Sequence, residues 1–209
     1  MTISKGLTEF GQYALTWLFV LVLKRTRLEG TEDFELADET VTVFKFRADR
    51  PEFAQATPFG TIIWNLHQTE SLSDNARQFV LTHERSHRDR NPVWKGFLYG
   101  GAICVAVAGA SVLKLILAVT LGEVPFGALY QPVAVSLLFV AGFLLAFRIE
   151  ETVADYQALQ QIGEKRFTEA YKEVFESGSG GIVSDLVRTI LYTHPKQTLK
   201  LHRFVKQYN

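Results

Sequence analysis

Two long stretches without charged residues constrain the fold of this chain more than any other feature. Residues 96–113 contain no Asp, Glu, Lys or Arg, and the apolar character resumes after Lys114. Residues 124–147 are also uncharged and end in the run VAVSLLFVAGFLLAF. As helices, both are long enough to cross a hydrocarbon layer about 30 Å thick. We predict two membrane-spanning helices; the alternative is a pair of helices buried in a soluble core.

The short link between the two stretches predicts a helical hairpin. It contains Glu123, Pro125 and Gly127 but no Lys or Arg, whereas basic residues flank the hairpin on both sides: Arg85, Arg88, Arg90, Lys95 and Arg148. Cytoplasmic loops carry an excess of Lys and Arg. We therefore expect both flanks, and with them the polar bulk of the chain, on the cytoplasmic side of a plasma (inner) membrane.

A third apolar stretch, residues 13–23, is shorter and permits two interpretations. It either crosses the membrane, or lies in the interface with Trp17 at headgroup depth. The basic cluster follows the apolar run instead of preceding it: Lys24, Arg25 and Arg27. This order argues against a cleaved signal peptide. Of the remaining two interpretations, we favour a span.

The rest of the chain predicts an α+β domain that is mainly helical. Alternating β-branched and aromatic residues indicate strands at Thr40–Phe46 and Thr61–Leu66. Ser73 is placed to cap a helix that ends or kinks near Pro92. Further helices are expected at 150–176, 182–192 and 195–205, with a flexible break at 177–181. The predicted parts are an N-terminal membrane segment (1–23), a cytoplasmic part (24–95), the hairpin (96–148) and a second cytoplasmic part (149–209).

Composition excludes several other classes of protein. The chain has 22 basic and 22 acidic residues, so its formal net charge gives no basis for binding nucleic acid. The single cysteine, Cys104, lies inside an apolar run and permits neither a disulfide framework nor a thiolate metal site.

The sequence His83-Glu84-Arg85-Ser86-His87 has the spacing of a metal site. On a helix, His83 and His87 lie one turn apart on the same face, so both imidazoles can bind one metal ion. Glu84 projects beside that face, where it could deprotonate a water molecule. Zinc with three protein ligands keeps a position open for such a water and lowers its pKa to about 7. The alternative is an exposed basic helix whose histidines bind nothing.

A third ligand is expected after the hairpin, because an antiparallel hairpin returns the chain to the same membrane face. Glu151 and Asp155 lie four residues apart on one helical face. Glu151 is then the third zinc ligand, and Asp155 accepts a hydrogen bond from a ligating imidazole. Glu150 is about 100° away around the helix and is expected to face elsewhere.

The order of these motifs resembles the HtpX-type membrane zinc proteases and the related CAAX prenyl proteases. Three segments within residues 53–205 carry the resemblance: LTHERSH at 81–87, ETVAD at 151–155 and THP at 193–195. The family's upstream Asn-Ala-Phe-Ala is matched only faintly, by Glu52-Phe53-Ala54.

The resemblance implies a zincin-like domain with the transmembrane hairpin inserted between the two zinc motifs. It implies Zn²⁺ ligands at His83, His87 and Glu151, Glu84 as general base and a supporting role for Asp155. The expected activity is endopeptidase cleavage of membrane or misfolded proteins at the cytoplasmic face, which is a protein quality-control function. The expected partners are therefore a protein or peptide substrate and the lipid membrane, without nucleic acid; the sequence leaves the oligomeric state open.

Two further roles concern substrate and transition state. The oxyanion formed during hydrolysis needs a hydrogen-bond donor besides the metal. His194 is our candidate, followed by Tyr156, Tyr192 and Arg148; the alternative for His194 is a helix-start residue before Pro195. His67 and His202 are expected to be surface residues. The strand Thr61–Leu66 offers a possible free edge for an extended substrate, unless it lies inside the sheet.

Two rival functions remain from the sequence. The first is a catalytically silent membrane adaptor that keeps the metal-site fold, which the intact Glu84 argues against. The second is a small helical membrane protein, such as a transporter subunit, with an accidental motif. Charged residues within the spans would favour the second rival, and Lys114 alone is found there.

Overall fold

A computed structural model describes residues 3–36, 39–177 and 194–208 as a mainly helical protein with one small sheet. The N-terminal helix α1 (Ile3–Phe19) continues as a π-helical turn over Val20–Lys24. The strands are β1 (Leu28–Glu35), β2 (Thr40–Phe46), β3 (Ala54–Ala56) and β4 (Ile62–Asn65). The other helices are α2 (Leu66–Thr69), α3 (Asp74–Arg88), α4 (Pro92–Thr120), α5 (Tyr130–Ile162), α6 (Glu164–Ser177) and α7 (Pro195–Tyr208). The helix expected at 182–192 and most of the break at 177–181 lie outside the described residues.

The four strands form one sheet in the order β1-β2-β4-β3. β2 runs parallel to β4, and the other two pairs are antiparallel. β4 therefore lies inside the sheet, and the free edge expected at Thr61–Leu66 is wrong. The edge strand on that side is β3, which has only three residues, two of them alanine. Such a strand is too short to show the alternation by which strands are recognised in a sequence.

Both faces of the sheet are covered, because alternate residues of a strand point to opposite faces. Val43 of β2 and Ile62 of β4 belong to the main core, which α3, α5 and α6 complete. Phe46 and Ile63 point the other way and pack with Val20 at the end of the N-terminal helix. This two-sided burial explains why all four residues of β4 are buried.

The N-terminal helix lies on the second face of the sheet. Thr16 and Val20 are fully buried there, and the hydroxyl oxygens of Thr16 and Thr61 are 2.8 Å apart. Gln12 donates a hydrogen bond to the carbonyl oxygen of Phe59 at 3.2 Å. The opposite face of the helix is exposed and apolar, and includes Leu15, Trp17, Leu18 and Leu21.

Helices α4 and α5 form the expected hairpin, joined by a short 3-10 turn at Phe126–Leu129. Each contains an apolar window long enough to cross a membrane, and only 0% and 6% of these windows is buried. The alternative of two buried core helices is therefore excluded for the described residues. The helices approach closely at Gly101, where an added Cβ would lie 2.8 Å from the ring of Phe143.

Outside the hairpin, the helices have defined caps and pack against one another. Ser73 caps α3 as expected, and its hydroxyl accepts a hydrogen bond from the amide of Ala76. Asn91 caps α4, with Pro92 in its first turn. Ala154 and Ala158 of α5 are fully buried near α3 and α6. This packing brings the last turns of α3 against the part of α5 that follows residue 148.

Candidate metal centre

Helix α3 presents two imidazoles toward α5. Phe79 fixes this face of α3, because its ring packs edge-on against Phe167 in the core. His83 and His87 follow at intervals of one turn, and their side chains are 12% and 18% exposed. Their Nε2 atoms are 3.1 Å apart. The same helical face therefore carries core packing at its start and the two histidines at its end.

Glu151 of α5 meets both imidazoles. Its Oε2 lies 3.3 Å from Nε2 of His83, and its Oε1 lies 3.4 Å from Nε2 of His87. Two ligand atoms about 2.1 Å from a tetrahedral zinc ion are separated by about 3.4 Å. The three side chains thus have the spacing and the donor types that such an ion requires. Oε2 of Glu151 is also buried without a hydrogen-bond partner among the described residues, which a bound cation would satisfy.

Asp155 supports the first imidazole from one turn further along α5. Its Oδ1 lies 2.9 Å from Nδ1 of His83. A carboxylate at Nδ1 favours the proton on that nitrogen and leaves the lone pair of Nε2 directed at Glu151. Asp155 therefore contacts the imidazole with which the sequence analysis paired it, and its supporting role stays a prediction.

Glu150 does not face away from the centre, as the sequence suggested. Its carboxylate is buried, and Oε1 lies 3.0 Å from Nδ1 of His87. The expectation failed because α3 continues for a full turn beyond His83. A residue that turns about 100° away from the ligand face of α5 thereby meets the second histidine.

The buried groups shift one another's pKa. Burial lowers the pKa of His83, but hydrogen bonds and charges from Asp155 and Glu151 outweigh burial and raise it well above its ordinary 6.5. For His87, burial again opposes the hydrogen bonds to Glu150 and Glu151, and the pKa rises to about 9. Burial raises the pKa of Glu151, but the two imidazoles lower it to about 2. The carboxylates therefore create a centre that attracts positive charge, as protons or as a cation.

Glu84 lies on the open side of the centre. Its Oε2 accepts a hydrogen bond of 2.6 Å from the backbone amide of Ala56 in the edge strand β3. Glu84 and His83 line two adjoining cavities, so the carboxylate is next to the ligand candidates and to open space. A carboxylate in this position can take up and release a proton beside the metal ligands.

The two cavities differ in their walls. The smaller, of about 190 Å³, is largely apolar and is lined by residues that include Phe53, Phe79, Val80, Tyr171, Val174 and Phe175. The larger, of about 450 Å³, extends from the metal-ligand candidates to the start of the hairpin, and includes Lys24, Lys95, Leu98, Tyr99, Phe143 and Phe147. The sequence analysis assigned none of these residues a role in binding metal or substrate.

The remaining candidates do not join the centre. His194 is exposed at the start of α7, where its Nδ1 accepts a hydrogen bond of 3.2 Å from the amide of Lys196. These contacts favour the helix-start role for His194 over the oxyanion role. Tyr156 packs its ring against His202. Neither His194 nor Tyr156 is among the described residues that line the two cavities, and Tyr192 lies outside the described residues.

Comparison with known proteins gives one match. A family model described as "Peptidase family M48" matches residues 37–206, which includes every candidate ligand. No curated protein and no solved structure matches the chain.

Proposed function

Because the chain belongs to peptidase family M48, a family of metal-dependent peptidases, we propose that it is a membrane-integral zinc endopeptidase of the HtpX type. The observation that supports the proposal is the convergence of His83 and His87 of α3 with Glu151 of α5, residues that the apolar hairpin separates in sequence. Peptidases act on proteins or peptides, and the proposed substrates are membrane or misfolded proteins.

Zinc is the proposed metal because the donor set is two imidazoles and one carboxylate. This set is typical of catalytic zinc sites, which keep a further position open. When bound, zinc supplies Lewis acidity that activates water and polarises a substrate carbonyl. Asp155 contributes by holding the Nδ1 proton of His83, so that Nε2 stays available as a ligand.

Glu84 is the proposed general base. Its carboxylate lies beside the ligand set and borders both cavities. In the proposed mechanism, Glu84 removes the proton of the attacking water and then delivers it to the amine that leaves the broken peptide bond. The hydrogen bond from Ala56 holds the carboxylate at the edge of the cleft in the absence of substrate. His194 has no part in this mechanism.

The edge strand β3 is the proposed binding site for the substrate backbone. On the inner side of β3, the carbonyl oxygen of Phe53 accepts a hydrogen bond from Asn65 N, and Thr57 N donates one to Thr61 O. Polar groups alternate along a strand, so those of Ala54 and Ala56 point toward the cleft, where Ala56 N–H meets Glu84. An extended peptide can pair with this edge through backbone hydrogen bonds. The apolar cavity beside Glu84 would then receive an apolar side chain of the substrate.

The hairpin is the proposed membrane anchor, with the catalytic centre on the cytoplasmic side of the inner membrane. Its apolar windows have mean hydropathies of 2.4 and 2.2 and are almost entirely exposed. Lipid is the environment that such surfaces require. The basic residues at both flanks of the hairpin support the orientation.

The N-terminal helix is proposed to lie along the membrane surface instead of crossing it. Its C-terminal part, around Thr16 and Val20, packs on the sheet. A spanning helix would carry strand edges into hydrocarbon, where their polar groups have no partners. Cysteines introduced at Lys5 and Arg25 in a Cys104→Ser background test this. A membrane-impermeant maleimide added from outside should label neither; labelling at position 5 alone would show a span.

The catalytic proposal is tested by Glu84→Gln. The amide keeps the shape of the side chain but cannot remove a proton, so cleavage of casein in detergent should fall by about 100-fold or more, while zinc remains bound. Asp49→Asn, at a fully exposed carboxylate, is the control. Undiminished cleavage by Glu84→Gln would refute the assignment. Zinc binding without any cleavage by the wild-type protein would favour the silent adaptor.

A further inference from the structure

Glu150 is, like Asp155, a buried carboxylate beside the centre that is not one of the three proposed ligands. It lies where α3, α4 and α5 meet, and only 5% of its side chain is exposed. An ionised carboxylate in such a place is costly unless it is paired and hydrogen-bonded. The contacts of Glu150 must therefore offset the cost of burying its charge.

Three side chains surround the carboxylate. Oε1 lies 3.0 Å from Nδ1 of His87, and Oε2 accepts a hydrogen bond of 2.6 Å from the indole Nε1 of Trp94. Nε of Arg90 forms an ion pair with Oε1 at 2.9 Å. Arg90 is held in turn, because it donates a hydrogen bond to the hydroxyl of Ser86 at 3.1 Å. Both carboxylate oxygens are thus fixed in position.

The contact with His87 sets the orientation of its imidazole. A carboxylate at Nδ1 favours the tautomer of neutral His87 with its proton on that nitrogen, so Nε2, which faces Glu151 and His83, would be free to bind a metal. The same arrangement holds at the other histidine, where Asp155 meets Nδ1 of His83 and Glu151 lies at Nε2. The two imidazoles are therefore each held between two carboxylates of α5.

We propose that Glu150 is a positioning residue: anchored by Trp94 and Arg90, it holds His87 with Nε2 directed at the metal. The proposal rests on the proposed function, since it assumes that His87 is a ligand. It goes further by assigning Glu150 as the supporting carboxylate of His87, just as Asp155 is the supporting carboxylate proposed for His83.

The anchors also connect the metal ligands to the hairpin. Trp94 lies in the first turn of α4 and Arg90 in the link between α3 and α4. Glu150 itself lies two residues after the basic residue Arg148 that ends the apolar half of α5. The hydrogen bond between Trp94 and Glu150 therefore joins the start of α4, and the part of α5 just beyond its apolar half, to the imidazole of His87.

The test compares zinc affinity in full-length wild-type protein, Glu150→Ala and Glu150→Gln, purified in detergent. The matched control is Glu164→Gln, at an exposed carboxylate paired with Arg203. The dissociation constant is measured by competition with a chromogenic chelator, and the absorption spectrum is recorded with Co²⁺ in place of zinc. Loss of such a supporting carboxylate costs about 10- to 100-fold in metal affinity.

Glu150→Ala should therefore bind zinc about 10- to 100-fold more weakly and show an altered Co²⁺ spectrum. Glu150→Gln should recover part of the affinity, because its amide oxygen still accepts the Nδ1 proton. A role confined to folding would instead lower the melting temperature of the metal-free protein and leave affinity and spectrum unchanged, which would overturn the proposal.

Two controls keep the outcome decisive. If Glu150→Ala does not fold, Glu150→Gln decides: weaker binding with an altered spectrum supports the proposal, and wild-type values overturn it. A wild-type protein that binds neither Zn²⁺ nor Co²⁺ would overturn this proposal and the proposed function together. If the wild-type protein binds both ions and Glu150→Ala binds them equally tightly, only the role of Glu150 is overturned.

Discussion

A helix of a soluble protein exposes polar side chains and buries apolar ones, and the two halves of α5 depart from this pattern in different ways. In the first half, up to Phe147, large apolar side chains are exposed, for example Leu138 at 74%. In the second half, three carboxylates are buried: Glu150, Glu151 and Asp155. Exposed apolar surface needs a non-aqueous environment, and buried carboxylates need positive partners. One continuous helix thus combines two regions, each of which is unfavourable in water without a partner outside itself.

Under the proposed function, this contrast lets one helix hold a metal centre at a membrane surface. The apolar half of α5 fixes the depth of the helix in the proposed membrane, and the carboxylate half then projects from it at a defined height. The hairpin brings α5 back beside the end of α3, as the contact of His87 with Glu150 illustrates. Anchoring and ligand placement are then properties of the same helix.

Charge in the apolar half should have the largest effect. Leu138→Asp should make insertion of the hairpin about 3–4 kcal/mol less favourable, because the favourable contribution of Leu is lost as well, measured in a translocon assay with a glycosylation acceptor in the hairpin link. Leu138→Ala is the control and should insert nearly as well as the wild-type protein. If Leu138→Asp inserted as well as Leu138→Ala, the apolar half of α5 would not be facing lipid.

The carboxylate half should make the metal-free protein sensitive to alkaline pH. The pKa of His87 is raised from 6.5 to about 9 in the folded protein. The contacts of its imidazolium therefore make their full contribution to the stability of the folded protein below pH 6.5. This contribution is lost as the pH rises through about 9. For His87 the loss is at most about 3.5 kcal/mol, since one pKa unit corresponds to about 1.4 kcal/mol. Glu151, with a pKa of about 2, stays ionised throughout.

Unfolding in urea at pH 6 and pH 10, with EDTA present, measures this dependence. Zinc-loaded protein is the comparison, because zinc binds neutral imidazoles and removes their titration over this range. A metal-free protein equally stable at both pH values would contradict the charge pairing in the centre.

A smaller effect is expected from Asp155→Asn. The amide oxygen still accepts a hydrogen bond from Nδ1 of His83, but the negative charge that strengthens the ligand is lost. Zinc affinity should fall by about 10-fold, at the lower end of the range for supporting carboxylates. Asp49→Asn, at an exposed carboxylate, should bind zinc normally. Equal affinity in the two variants would remove Asp155 from the account.

The smallest effect is expected within the hairpin. A Cβ at Gly101 would lie 2.8 Å from the ring of Phe143, whereas a Cβ at Gly100 meets nothing within 4 Å. Gly101→Ala should therefore be less stable than Gly100→Ala by about 1 kcal/mol, measured as resistance of the hairpin to unfolding in SDS. Phe143→Leu should reduce this difference. Identical stability of the two alanine variants would argue against close packing of α4 and α5 at this level.

The sequence was most informative where a helix repeats a side chain every turn. His83 and His87 share a face by this rule, and the hairpin brings Glu151 near them by its antiparallel course. The same rule failed for Glu150, because it gives the direction of a side chain on its own helix but not the length of the neighbouring helix. Only the packing of α3 against α5 shows that His87 lies next to the carboxylate of Glu150.

Strands and surfaces were harder to predict. β2 was recognised by its alternation, but β3 has three residues and no pattern, so the edge beside Glu84 could not be identified from sequence. The apolar stretch at residues 13–23 favoured a span by hydropathy, which records composition alone, and that span stays a prediction. Its contacts with the sheet, such as that of Thr16 with Thr61, depend on residues distant in sequence.

Metal analysis of wild-type protein and Glu151→Ala, purified in parallel, tests the central claim most directly. The account predicts about one zinc ion per wild-type chain and a large loss in the variant, because Glu151 is the ligand that joins α5 to the two histidines of α3. Glu151→Gln and Asp49→Asn complete the series, with loss expected in the first and full zinc content in the second. Full occupancy in Glu151→Ala, or a wild-type protein without bound zinc, would contradict the account.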